Sequence, residues 1–131
     1  MVNFTPISFK NFDDLMTTQQ KTLQLSPDHQ LKIKEQVIYD SGEEGLCIWE
    51  SGIVMARYFA LQVAESVRGQ TIVELGAGTG VTGLALLKHT PVQKVIFTDY
   101  LTPILKLIRE NINQTQHLLL PNSKEYVPGK N

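Results

Sequence analysis

The 131 residues supply one hydrophobic core and no second domain, and 42% hydrophobic with 19% charged residues is a globular balance. Twelve Lys and Arg against thirteen Asp and Glu leave a net charge of −1 with no basic block, which excludes the electrostatic footprint of a nucleic-acid partner. A single cysteine, Cys47, excludes an internal disulfide and a cysteine-based metal cluster, and no metal site is expected.

The start, Met1-Val2-Asn3-Phe4, lacks the charged and apolar regions of a signal peptide. Residues 52–64 form the longest apolar stretch, but Arg57 and Gln62 interrupt it and it is too short to cross a bilayer. A soluble intracellular protein without a membrane partner is expected. Phe4, Ile7, Phe9, Phe12, Leu15 and Met16 follow no clear period, and Ser26-Pro27-Asp28 is a turn signal. Leu31, Ile33, Val37 and Tyr39 then fall on one side of an extended chain with Lys32, Lys34 and Gln36 on the other, which predicts a strand or hairpin running into Asp40-Ser41-Gly42. Its expected task is to cover one end of the main sheet.

After residues 45–51, Trp49, Ile53, Ala56, Ala60, Val63, Ala64 and Val67 recur every three or four positions, predicting a helix of about five turns with one buried stripe. Arg68 and Gly69 close it, a cation at the negative end and a glycine where the chain leaves. Taken alone, Trp49 reads as a core residue, and Cys47 as a small half-buried one.

Thr71-Ile72-Val73 is β-branched and predicts a buried strand, and Leu84-Ala85-Leu86-Leu87-Lys88 predicts a helix. Between them lies Glu74-Leu75-Gly76-Ala77-Gly78-Thr79-Gly80-Val81-Thr82-Gly83. A glycine-rich turn from strand to helix brings bare backbone N–H groups and the positive end of the helix dipole close to a ligand. A second strand, residues 94–98, ends on Asp99, 23 positions past Gly76, where a right-handed βαβ unit sets a carboxylate beside the first loop. A ribose diol is the usual partner for such a carboxylate, so the stretch predicts a nucleoside-cofactor site. Two templates fit. Gly78-Thr79-Gly80-Val81-Thr82-Gly83 is a literal dinucleotide fingerprint, whereas from Glu74 the run is acidic-x-Gly-x-Gly-x-Gly. A carboxylate at position 74 would repel a pyrophosphate and tolerate a cationic sulfonium amino acid. Further on, Thr102 can cap a helix with Pro103 at its first position, and Leu101, Ile104, Leu105, Ile108 and Ile112 form its stripe. Lys106, Arg109, Glu110 and Asn113 fall on its watery side.

The phrase Gly45-Leu46-x-x-Trp49-Glu50, a helix, Arg68-Gly69-x-Thr71-Ile72-Val73 leading into the glycine run, and then Phe97-Thr98-Asp99 resembles methyltransferase family 16. These are seven-strand, S-adenosyl-L-methionine-dependent protein-lysine methyltransferases of cytosol and nucleus. The resemblance runs from about Gly42 to Asn113, and the Trp-Glu lead-in is what narrows it beyond the glycine motif. Thr82-Gly83-Leu84-Ala85 and the Gly45-Leu46-x-x-Trp49 phrase look most like the elongation factor 2 lysine methyltransferases. The resemblance implies that Trp49 lies against the cofactor, that Gly76, Ala77 and Gly78 run under its methionine portion, and that Asp99 holds its ribose. Glu74 and Gly80, from the same run, complete the expected cofactor-binding set. No catalytic residue is assigned.

The fold class expected is α/β, an incomplete Rossmann-like class I methyltransferase fold. It comprises the βαβα half of a seven-strand sheet with an N-terminal strand or hairpin and a lead-in helix. Residues 1–48 read as an N-terminal extension, 49–113 as an S-adenosylmethionine-binding half-domain, and 114–131 as a divergent, irregular tail. Two central parallel strands are recognisable; a third is not, nor is the family's aspartate-x-x-tyrosine motif. The expectation is therefore a truncated protein-lysine methyltransferase, inactive alone, whose relatives act on a protein substrate such as a translation factor or chaperone. Two alternatives stand beside it, a non-catalytic nucleoside-binding or interaction module and a nicotinamide-dinucleotide-binding fragment.

Overall fold

A computed structural model of the chain describes residues 16–38, 44–116 and 125–128. The first two strands, β1 (Met16–Ser26) and β2 (His29–Ile38), pair antiparallel around Pro27-Asp28, with an irregularity between Gln24 and Ser26. Alternation dictates the inward face: Leu25, Leu31 and Ile33 are buried, whereas residues 17–22 of β1 are exposed. Tyr39 and the turn at residues 40–42 lie outside the described residues, as do the apolar positions of residues 1–15.

The hairpin packs chiefly on helices. Strand β1 touches α1 (Glu50–Leu61), and β2 touches α2 (Val81–His89) and α3 (Thr102–Gln116). This corrects the expectation that it covers an end of the main sheet. The reason lies in α2, where Val81, Gly83, Leu84, Ala85, Leu86 and Leu87 are all buried. A helix that is apolar nearly all round needs cover on two sides. Helix α1 and the central sheet supply most of that cover and strand β2 of the hairpin the rest. Lys88 Nζ donates to the Gln30 carbonyl at 2.6 Å and Arg57 to the Gln24 carbonyl at 2.9 Å, fastening the turn end of the hairpin to α2 and α1.

The lead-in helix is shorter than its periodicity predicts. It ends at Leu61, and a 3-10 turn, Ala64–Val67, carries the chain to Arg68. Both the backbone N–H and the hydroxyl of Ser66 donate to the Val63 carbonyl, at 3.0 and 2.7 Å, in place of helical pairing. Ala56, Ala60 and Val67 of the stripe are buried and Ile53, Val63 and Ala64 half-buried, but Trp49 is 51% exposed, against its reading as a core residue.

Strands β3 (Thr71–Glu74) and β4 (Lys94–Phe97) are parallel, with Ile72 opposite Val95 and Glu74 opposite Phe97. A third parallel strand, β5 (Glu125–Pro128), joins the far side of β4, giving the order β3-β4-β5. The central sheet thus has a third strand inside the stretch read as an irregular tail. Four residues opened by Glu125 and closed by Pro128 are too few for a period, and their pairing is long-range. A proline fits there because β5 pairs on one side only among the described residues. The α/β class and the partial Rossmann-like arrangement are as expected.

Helix α3 begins without a Thr102 cap. The Leu101 carbonyl accepts from Leu105 N–H at 3.1 Å, which makes Leu101 the flanking residue and Thr102 the first helical one. Ile104, Leu107, Ile108, Asn111, Ile112 and Thr115 form its buried face.

Helix α2 lies so low on the sheet that a Cβ at Gly83 would clash with the Phe97 ring and the Glu74 carboxylate. Gly83→Ala should cost about 1–3 kcal/mol, the scale of overpacking, although alanine is the better helix former. Denaturant unfolding of the two proteins checks this; a gain in stability would show that the helix can lift off the sheet.

Candidate cofactor site

The site is built at the carboxyl end of β3. After Glu74 the chain turns through three left-handed glycines, Gly76, Gly78 and Gly80, with φ of 59°, 55° and 79°. The acidic-x-Gly-x-Gly-x-Gly spacing is thus an alternation of left-handed positions. The turn is braced by Ala77 N–H donating to the Thr98 carbonyl at 2.9 Å and Gly80 N–H donating to the Ala77 carbonyl at 2.7 Å. A Cβ at Gly78 would sit 3.0 Å from the Gly45 carbonyl oxygen, so glycine is what lets the loop and the lead-in segment approach. At Gly76 a Cβ would meet nothing within 4 Å, so this glycine presents bare backbone to open space.

Gly80 flanks α2, its carbonyl accepting from Leu84 N–H at 2.9 Å. The first turn of α2 faces Glu74, whose Oε2 accepts from Gly83 N–H at 3.0 Å. This carboxylate is half-buried, and its loss of water pushes its pKa up to about 7 against the relief given by Gly83 N–H and the Thr82 hydroxyl. Asp99, just beyond β4, accepts from Gly78 N–H at 3.0 Å through Oδ2, and from Tyr100 and Leu101 N–H at 2.8 and 3.4 Å through Oδ1. It therefore braces the glycine loop and the entrance to α3 at once.

A pocket of about 280 Å³ opens between this loop and the chain segment leading into α1. Gly45, Cys47, Trp49, Ser51 and Gly52 line one wall, and Glu74, Gly76, Ala77, Gly78 and Thr79 line the other with Val81 and Thr82. Of the seven residues singled out from sequence, Trp49, Glu74, Gly76, Ala77 and Gly78 meet here. Asp99 is one hydrogen bond removed, through Gly78. Gly80 is buried under the Phe97 ring. The wall residues Gly45, Cys47, Ser51 and Gly52 went unrecognised. Gly52 carried a signal: a glycine in the first turn of a helix costs stability unless something lies close, and here Val81 would be 2.7 Å from its Cβ. Among the described residues no group of three or more His, Cys, Asp or Glu could hold a metal ion.

The donor set suits a cationic nucleoside. Bare main chain at Gly76 permits close approach, and the half-buried Glu74 carboxylate is a costly anion that a ligand cation would relieve. Residues 25–126 match the lysine methyltransferase family. The chain belongs to this family. Its methyl donor is S-adenosyl-L-methionine, and the loop, the acid before it and the acid after β4 are compatible with that donor. The lysine methyltransferase relatives include the mouse protein-lysine N-methyltransferase EEF2KMT, 33% identical over 57% of this chain and 22% of its own length. The calmodulin-lysine N-methyltransferase of Arabidopsis thaliana is 35% identical over 56% of this chain and 24% of its own. Methyltransferase-like protein 22 of mouse is 29% identical over 81% of the chain and 26% of its own. The matched stretch thus spans about a quarter of each relative.

The raised Glu74 pKa has a defined effect on stability. Below the unfolded value of 4.5 the group is protonated in both states; between 4.5 and about 7 only the folded chain keeps the proton. Stability contributed by this group therefore falls as pH rises through that window, by on the order of 3 kcal/mol. Glu74→Gln, which keeps an acceptor for Gly83, should stabilise the unliganded protein at pH 8 and change little at pH 4. Denaturant midpoints at the two pH values check it.

Proposed function

We propose that these residues form the cofactor-binding part of an S-adenosylmethionine-dependent methyltransferase acting on a protein lysine. The observation that carries the reading is the glycine loop set between two carboxylates, with Glu74 half-buried and raised in pKa and Asp99 hydrogen-bonded to Gly78. Glu74 faces the cationic methionine end, with Gly76, Ala77 and Gly78 under that portion. A ribose hydroxyl donates to the lone pair left on Asp99 Oδ2, and Trp49 closes the opposite wall. Gly80 starts the helix whose dipole ends at the loop. The substrate is a protein of the translation-factor or chaperone kind, met in the cytosol or nucleus.

When bound, the cofactor would supply an electrophilic methyl group on sulfur for a neutral lysine amine, with S-adenosylhomocysteine as the leaving group. The chain's residues contribute position and partial exclusion of water rather than a covalent partner. We further propose that the 131 residues alone bind cofactor without transferring methyl. Support comes from Val73, 53% exposed on β3, and Leu75, 81% exposed beside it, which leave that side of the sheet wet. A parallel sheet is stable and dry when both faces are covered. The same exposure favours, as a second reading, an interaction module that binds the nucleoside without turnover.

Calorimetry decides the ligand: S-adenosylhomocysteine should bind and NAD should not, and tight NAD binding with no response to the nucleoside sulfide would overturn the reading. Asp99→Ala should weaken binding by about 1.5–3 kcal/mol, the scale for hydrogen bonds to a charged group. Trp49 is the sole tryptophan of the chain, so its emission should change on saturation with S-adenosylhomocysteine. Affinity for S-adenosylmethionine should rise between pH 6 and 8 as Glu74 ionises, and Glu74→Gln should flatten that profile. Labelled methyl transfer into a cell lysate by the 131 residues, lost in Asp99→Ala, would refute the claim that they are inactive alone.

A further inference from the structure

Two adjacent residues of β2 are tied to the two walls of the pocket. At Lys34 the tie is main-chain. Its N–H donates to Asn111 Oδ1 at 2.7 Å, and its carbonyl accepts from Asn111 Nδ2 at 2.9 Å. The side-chain amide of Asn111 thus occupies the place of a neighbouring strand along the edge of β2 away from β1. Its second amide hydrogen goes to the Thr79 carbonyl, 3.0 Å away in the glycine loop. Turning the amide over would set donor against donor and acceptor against two acceptors, so the orientation is dictated by its partners. Asn111 is fully buried, and an apolar residue of similar size would orphan three backbone groups.

At Glu35 the tie runs to the other wall. The inward alternation of β2, Leu31, Ile33, then 35, calls for an apolar side chain, yet this position holds a carboxylate that is 2% exposed. Its Oε2 accepts from Ile48 N–H at 2.9 Å, and its Oε1 pairs with Lys21 across the hairpin. Ile48 immediately precedes Trp49. The Cys47 thiol reaches the Gln36 carbonyl at 3.5 Å, a third tie between the same strand and the same wall. A buried charge on a strand is costly and earns its place only through what it holds.

We propose that the β1–β2 hairpin is a working part of the cofactor site, with Glu35 and Asn111 as positioning residues that set the spacing of its two walls. Neither touches the ligand. Asn111 acts through Thr79 on the glycine loop, and Glu35 acts through Ile48 on the Trp49 wall. The inference rests on the cofactor reading for its consequence in binding, but the ties themselves exist in the unliganded chain.

The experiment uses the full chain with Glu35→Ala, Glu35→Gln and Asn111→Ala, read by S-adenosylhomocysteine calorimetry and by residue-resolved amide exchange without ligand. Glu35→Ala should weaken binding about tenfold, the scale of one lost hydrogen bond to a charged acceptor, while Glu35→Gln, which keeps an acceptor for Ile48 N–H, should stay within about twofold of the parent. Exchange should quicken at residues 48–52 in Glu35→Ala and at residues 78–80 in Asn111→Ala, with Leu86 and Val95 unchanged in both. Unaltered affinity in Glu35→Ala, equal loss in both Glu35 variants, or exchange that quickens uniformly over the chain would each overturn the proposal. If the parent itself fails to bind S-adenosylhomocysteine, the functional reading falls, and the local or uniform exchange pattern still decides the ties.

Discussion

The bond from Gly83 N–H to the Glu74 carboxylate, 3.0 Å long, is the constraint on which the rest of the site depends. It pins the first turn of α2 to the last residue of β3, and it can form only because position 83 has no side chain. With the two ends of the loop so close, residues 75–80 must reverse tightly, which three left-handed residues accomplish. The same contact brings the positive end of α2 onto a carboxylate, a favourable pairing at a helix N-terminus. Yet the carboxylate has one backbone donor and one hydroxyl to replace its water, so it remains an expensive anion.

The loop is stiff before any ligand arrives. Ala77 N–H is held by Thr98, Gly78 N–H by Asp99 and Gly80 N–H by Ala77. Amide after amide is spent on bracing, and little ordering entropy is left to lose on binding. Asp99 serves twice, since Oδ1 accepts from two amides at the start of α3 and Oδ2 from one in the loop, which leaves Oδ2 the oxygen with a lone pair to spare. Loss of this side chain therefore disturbs the geometry of the loop and of the start of α3 together.

The βαβ unit was legible because its signals are local: β-branched strands, an alternating glycine run, and an acid where the second strand ends. Sequence patterns carried Gly76, Gly78 and Asp99 to their neighbourhood without help, while Trp49 came only through the family resemblance. Periodicity overran the lead-in helix because Val63, Ala64 and Val67 keep the right spacing across a break made by Ser66, whose hydroxyl contributes nothing to an apolar pattern. Strand β5 was missed for want of length, and the packing of the hairpin because an alternating face states that a partner exists without saying which. Glu35 and Asn111 were invisible for a related reason. A polar residue in an apolar register looks like noise until its backbone partners are known, and those partners lie 13 and 77 residues away.

That last separation bears on how the chain acquires its site. Residues 34, 79 and 111 must converge before the glycine loop has its Thr79 anchor, so a loop of 77 residues has to close first. Closure of long loops is paid in chain entropy ahead of any reward, and contacts of this span slow folding. On a ribosome, the βαβ unit can pair as soon as Phe97 emerges, but the pocket must wait until Asn111 has cleared the exit tunnel. A nascent chain shorter than that carries the glycine motif without the bond from Asn111 to the Thr79 carbonyl.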